Sequence, residues 1–213
     1  MSRIVIFGGT GYTGGNIARE AVRRGHEVTS YARTAATNPI DGATHRTGDL
    51  ADAAAVAEAL ADADTLVLAV PAHDVDGAPL AERIPGLVEA TAAQGVRIGV
   101  VGGAGSSLVA EGGPRLLDTP EFHPDWKPEA LAHADALEAL RASEGGDWFY
   151  VSPAALFGSF APGETTGAYR TGGDVVVTKD DGSSEISGTD YALAFVDEIE
   201  QRKHANQRFT VGH

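Results

Sequence analysis

The chain has 213 residues, 43% of them hydrophobic, and a formal net charge of -14, which bounds it to one well-buried domain. That charge argues against a nucleic-acid partner, because neutralising many phosphates requires a basic face, and the lack of cysteine excludes disulfides, thiolate metal sites and a cysteine nucleophile. No apolar run reaches the roughly 18 residues of a membrane span, and the N-terminus runs straight into "RIVIF" without a signal-peptide pattern. A soluble, cytoplasmic protein without a membrane partner is expected.

In chain order, apolar β-branched runs at Arg3–Phe7, Glu27–Ala32, Thr65–Val70, Arg97–Val101 and Trp148–Ser152 predict strands, with a short one at His45–Gly48. Between them, Tyr12–Arg24, Asp52–Leu60, Leu80–Gln94 and Pro128–Ser143 have helical length, and Gly25 and Gly95 stand where helix ends favour glycine. Short apolar strands joined through helices imply an α/β fold, a doubly wound parallel sheet covered on both faces. After Phe157 the pattern changes. "DVVVT" reads as a strand, Asp180–Ser183 as an acidic turn, Ser187–Asp190 as a capped start to a helix from Tyr191, and "RFTV" as a last strand. Residues 158–213 are expected to form a small lobe over the carboxyl edge of the sheet, on the substrate side of a single domain.

The first strand runs into Gly8, Gly11 and Gly14, a G-x-x-G-x-x-G turn that opens a helix and encloses Thr10, Tyr12 and Thr13. Such glycines let backbone approach a pyrophosphate, whose charge sits at the positive helix N-terminus. A nucleotide-hydrolysing loop would need Gly-Lys-Ser/Thr after the turn, and Gly14–Gly15–Asn16 lacks it. The second strand ends at Tyr31–Ala32–Arg33, with no carboxylate to take a ribose 2'-hydroxyl and an arginine suited to a 2'-phosphate. NADP(H) is therefore favoured over NAD(H), although Arg33 also reads as an ordinary surface arginine. Asp49, followed by Leu50, either meets an adenine edge or caps the next helix.

The quoted stretches "GGTGYTGG", "YAR", "GDL", "LAVPAH", "VVGGAGS", "SPAALF" and "ISGTDYA" run from end to end of the chain. Together they resemble the atypical short-chain dehydrogenase/reductases, in the compact NAD(P)H-binding branch near the NmrA-like and biliverdin-IX-beta/flavin reductase proteins. The resemblance implies an NAD(P)-binding Rossmann fold. It places the pyrophosphate on the Gly8–Gly14 turn, the 2'-phosphate on Arg33, the adenine on Asp49 and Leu50, and the cofactor ribose against Val70 and Pro71. It also sets Gly102 and Gly103 beside the nicotinamide, with Pro153 and Ala154 on its far side.

Typical members carry Tyr-x-x-x-Lys on the helix after the fifth strand, to move the substrate proton. Here "FHPDWKPEALAHADALEALR" has no tyrosine, and alanines near 130 and 134 fall at the positions of the pair. A flavin or quinone can take hydride and be protonated by solvent, so the expected activity is NADPH-dependent hydride transfer to a small planar acceptor. The alternative is a non-catalytic NAD(P)-sensing regulator. An epimerase or dehydratase would need the missing pair. Ser106 and Ser107 are the candidate catalytic hydroxyls, though a serine pair also makes turn hydrogen bonds. His123, Trp126, Tyr169 and Arg170 are candidates for pocket or lid. The seven histidines show no metal pattern, and no Gly-x-Ser-x-Gly elbow is present. A small-molecule substrate and a monomer or homodimer complete the expectations.

Overall fold

A computed structural model describes the whole chain, Met1–His213. The strands are β1 (Arg3–Phe7), β2 (Glu27–Ala32), β3 (Ala43–Thr47), β4 (Thr65–Leu68), β5 (Arg97–Val101), β6 (Trp148–Ser152), β7 (Arg170–Gly172) and β8 (Gln207–Gly212). The helices are α1 (Tyr12–Arg23), α2 (Ala53–Ala61), α3 (Leu80–Gln94), α4 (Lys127–Ala142) and α5 (Gly188–Gln201). They form one eight-stranded sheet in the order β3-β2-β1-β4-β5-β6-β8-β7. All pairs are parallel except β7 with β8.

The central strands β1, β4, β5 and β6 are apolar on both faces because both are covered. Val5, Phe7, Leu66, Leu68, Ile98 and Val100 join a core with residues of α2, α3 and α4. Ile4, Ile6, Val67, Phe149 and Val151 join the opposite core with residues of α1 and α5. The chain winds outward through β2 and β3, then returns across β1 to β4. That reversal opens a crevice at the carboxyl ends of β1 and β4, the usual ligand position in such sheets.

Several expectations shift. β4 stops at Leu68 rather than Val70, since Ala69 and Val70 turn out of the sheet. "DVVVT" forms no strand: its backbone-to-backbone bonds go only to Leu108, through Leu108 N–H to the Asp174 carbonyl and Val176 N–H to the Leu108 carbonyl. The sheet edge that this run would have joined is held instead by β7. The Asp180–Ser183 turn does form, with Asp181 Oδ1 accepting from Ser183 N–H and its hydroxyl at 2.9 and 2.6 Å. Ser187 caps α5, its Oγ accepting from Asp190 N–H at 3.0 Å, so the helix begins at Gly188.

The expected lobe needs correction too. Within residues 158–213, β7 and β8 extend the main sheet and α5 covers one of its faces. Only the loops between them lie outside that frame. Asp190, wholly buried, anchors one of these loops by accepting from Thr166 N–H at 2.8 Å and Gly167 N–H at 3.0 Å, and it also meets His213 Nε2 at 2.9 Å.

The far end of the sheet is tied by a buried ion pair. Arg97 at the start of β5 reaches Glu198 Oε1 on α5 at 2.8 Å, both side chains being 2% exposed. The guanidinium also donates to the Glu198 carbonyl at 3.0 Å and lies 4.4 Å from the Phe149 ring centre. Glu198 also accepts from His204 N–H at 3.0 Å. Removing Glu198 takes away the buried carboxylate and leaves Arg97 with the partly exposed Asp147, whose Oδ1 lies 3.0 Å from its Nε, as its remaining counter-charge. Glu198→Ala is expected to lower unfolding stability by about 3–5 kcal/mol, read from urea denaturation of variant and parent.

Candidate functional site

The crevice is built from the turn between β1 and α1. Gly8 has φ 86, and a side chain there would drive its Cβ into the Ala69 carbonyl after β4. A Cβ on Gly14 would strike the Gly8 carbonyl in the same way. The turn therefore closes tightly, with Gly11 N–H donating to the Gly8 carbonyl at 3.0 Å. Gly11 leads into α1 with no side-chain cap, and the first turn of α1 holds no acidic residue. The opening N–H groups of a helix have no intrahelical partner and carry its positive dipole end. A diphosphate fits that uncapped, unopposed end.

Beside the turn lies a hollow lined by Gly8, Thr10, Gly11, Arg33, Asp49, Leu50, Val70 and Pro71, all foreseen in the sequence. Its floor includes Phe7 and Tyr31, whose rings stack at 4.9 Å. Arg33 is exposed and takes part in no ion pair, while most other arginines of the chain are paired. Asp49 does not cap α2. That role falls to Asp52, which accepts from Ala54 N–H at 2.9 Å, while Asp49 Oδ1 accepts from Ala51 N–H at 2.8 Å. Tyr12, Thr13 and Gly14 sit at the start of α1, outside the hollow. The Tyr12 side chain turns to α5, its hydroxyl accepting from Gly188 N–H at 3.2 Å and its ring 5.9 Å from Phe157.

Asp74, Val75 and Asp76 also line the hollow and were not foreseen. They belong to the loop between β4 and α3, which is clamped from two sides. Arg83 donates to the Val75 carbonyl at 3.0 Å and the Asp76 carbonyl at 3.2 Å. Glu129 of α4 accepts from Ala72 N–H at 2.6 Å and His73 N–H at 3.2 Å.

Gly102, Gly103 and Pro153 lie at the ends of β5 and β6, beyond this hollow. Gly102 rests on the ring of Tyr150, and Gly103 faces the ring of His133. Tyr150, fully buried, accepts from Gly103 N–H at 3.1 Å and donates to the His133 carbonyl at 3.0 Å. Burial pushes its hydroxyl pKa well above the ordinary tyrosine value. The carboxyl side of the sheet thus holds a hollow beside the turn and, beyond it, a glycine-lined strip.

The serine pair separates. Ser107 is wholly buried, with its hydroxyl 2.8 Å from the Arg208 guanidinium, so it is a structural acceptor rather than a substrate contact. Ser106 Oγ is buried without a partner and borders a different hollow, between α4 and Asp174. Tyr169 and Arg170 do not form a lid. Tyr169 donates to Asp197 of α5 at 2.5 Å, and Arg170 reaches the carbonyls of Thr178 and His213. His123 and Trp126 do approach the carboxyl side, where exposed Trp126 lies 5.6 Å from the ring of exposed Phe160.

Residues 8–202 match the family model described as NAD(P)H-binding. A protein of Burkholderia pseudomallei, provisionally named as exported, shares 40% identity, with both chains covered in full and a TM-score of 0.83. The uncharacterized protein YwnB of Bacillus subtilis is 36% identical over 98% of this chain and 97% of its own. A candidate NADH-flavin reductase from Streptococcus pneumoniae is 32% identical, with full coverage of both chains and a TM-score of 0.81. The chain belongs to the NAD(P)H-binding family of atypical short-chain dehydrogenase/reductases.

Glu129 and His133 escaped the sequence reading, although their four-residue spacing on a helix was visible. The expected positions, Ala130 and Ala134, instead pack with Leu117. Burial opposes ionisation of Glu129, but hydrogen bonds from His133, Ala72 N–H and His73 outweigh it and bring the carboxyl to about 2. That lies below its ordinary 4.5, so the stabilisation is complete above pH 4.5 and is lost as the pH falls toward 2. Glu129→Gln is expected to melt below the parent at neutral pH, with the gap closing through that acid range in paired thermal melts.

Proposed function

We propose that the protein is an NADPH-dependent oxidoreductase that passes hydride to a small planar acceptor, flavin- or quinone-like. When bound, the reduced nicotinamide supplies the hydride. The chain's own residues bind, orient and exclude water. The N-terminus of α1 holds the diphosphate, Arg33 the 2'-phosphate, Leu50, Val70 and Pro71 the adenosine, and Gly102, Gly103 and Pro153 the nicotinamide strip.

The observation that carries this reading is Arg33, exposed and unpaired at the rim of a hollow whose β2 edge offers no carboxylate. A free guanidinium suits a phosphate bidentately. The Streptococcus relative is named for NADH, so the preference for NADPH rests on this residue alone. For the acceptor, support comes from the exposed aromatic surface of Trp126 and Phe160 on the carboxyl side, which offers ring faces for stacking. The name of that relative also favours flavin as the acceptor class. Helix α4 carries no tyrosine, so the fully formed dehydrogenase pair of an alcohol–ketone enzyme is missing.

The test is NADPH oxidation by the purified protein with FMN, FAD and a set of quinones, alongside calorimetric titrations of NADPH and NADH. Turnover above the uncatalysed rate is expected. Tight binding without turnover on any acceptor would overturn the reading in favour of a sensor of cofactor state. Arg33→Ala should weaken NADPH by roughly 1–3 kcal/mol more than NADH, the worth of a charge-assisted hydrogen bond. Equal losses would remove the argument for NADPH.

A further inference from the structure

In the sheet β1 lies between β2 and β4, so Arg33 after β2 and the loop after β4 enter the hollow from opposite sides. That loop brings Asp74, Val75 and Asp76 to the lining. A tight turn holds it: Val75 N–H donates to the Ala78 carbonyl at 2.7 Å, Asp74 Oδ1 accepts from Gly77 N–H at 2.7 Å, and Asp76 and Gly77 take φ 51 and 83. Val75 is buried, whereas both aspartates are exposed. Arg83 grips the Val75 and Asp76 carbonyls but borders a separate groove between α2 and α3, so its charge stands outside the hollow. The Asp76 carboxylate takes part in no hydrogen bond or ion pair, only its carbonyl being held. Asp49 adds a further carboxylate to the lining, so Arg33 is the one guanidinium among three acids. The hollow encloses about 220 Å³. A sphere of that volume is narrower than the Debye length, roughly 8 Å at physiological salt, so charges on its walls act on whatever it holds.

We propose that Asp74 and Asp76 are specificity-determining residues of the cofactor site, repelling the 2'-phosphate that Arg33 attracts, so that the preference for NADPH is narrow and NADH is bound as well. This rests on the reading of Arg33 above. The diphosphate is common to both cofactors, and the 2'-phosphate alone distinguishes them. A carboxylate on the hollow therefore weighs on the difference between the two, and it does so without touching either. Specificity built this way combines an attractive and a repulsive element on facing walls. The clamped turn keeps the carboxylates from swinging away, since Arg83 fixes the backbone on which Asp76 stands. The left-handed conformation of Asp76 is one that Asp and Asn adopt more readily than other side chains. Asparagine can thus remove the charge and keep the turn.

The test is calorimetric titration of NADPH and NADH into the parent, Asp76→Asn, Asp74→Asn and Arg33→Ala, in about 0.1 M and about 1 M sodium chloride. In Asp76→Asn at the lower salt, the ratio of the NADPH Kd to the NADH Kd is expected to fall about fivefold. That lies between the bulk-water and near-surface strengths of one like-charge pair roughly 8 Å apart. At the higher salt, where the Debye length shrinks to about 3 Å, the ratio should return to the parent's value. Asp74→Asn keeps the oxygen that Gly77 N–H needs, should move the ratio in the same direction, and serves if the first variant fails to fold. An unchanged ratio at low salt would overturn the proposal. So would a shift that persists undiminished at high salt, which marks an altered turn rather than a lost repulsion. Arg33→Ala examines the underlying reading separately and should raise the same ratio. If it leaves the ratio unchanged, the phosphate is not on Arg33 and that reading fails, while the Asp76→Asn shift still decides whether the carboxylates repel it.

Discussion

The close approach of Gly8 to the Ala69 carbonyl is the constraint from which the rest of the site follows. β1 and β4 are neighbours in the sheet, and the chain leaving β1 must reverse over the end of β4 within a few residues. Only backbone without a side chain fits there, at φ 86. The reversal delivers α1 with its first turn against the Gly8 carbonyl, which Gly14 permits. The same event displaces Ala69 and Val70 from β4 and makes them a wall of the hollow. Strand order, helix start and ligand cleft are thus one geometric solution.

The electrostatics are local rather than global. A molecule with a formal charge of -14 repels an anionic dinucleotide at long range, and physiological salt screens that repulsion beyond roughly 8 Å. Around the turn the local charges are the bare N-terminus of α1 and the unpaired Arg33, with Asp49, Asp74 and Asp76 on the same hollow. Most other guanidiniums are committed elsewhere: Arg97 to Glu198, Arg208 to Asp174, Arg24 to Asp197 and Glu200. On the opposite wall, Arg83 and Glu129 hold the loop after β4 in position, so Glu129 shapes the hollow and orients His133 with the same carboxylate.

The sheet was legible because its central strands are buried on both faces and read as short apolar runs. The turn was legible because glycine spacing, strand and helix coincide. Arg33, Asp49 and Leu50 were legible through their distance from that turn, and they do share one hollow. What escaped depends on contacts between distant segments. "DVVVT" has strand composition but a single backbone-to-backbone partner, Leu108, while the short polar run Arg170–Gly172 finds β8 and becomes the edge strand. Adjacent serines look equivalent in sequence, yet Arg208, 101 residues away, takes Ser107 into the interior. Glu129 and His133 were hidden by helical register: Ala130 and Ala134 stand one position along, on the side that packs with Leu117. Asp74 and Asp76 reach the hollow only because Arg83 folds their loop inward.

The central claim is that one extended cofactor spans the polar hollow and the glycine strip. A crystal structure of the protein with NADP+ tests it most directly. The account predicts the diphosphate on the N–H groups opening α1, the 2'-phosphate beside Arg33 and the nicotinamide along Gly102 and Gly103. A cofactor whose diphosphate lies away from the Gly8–Gly14 turn, or whose nicotinamide points away from β5, would contradict it.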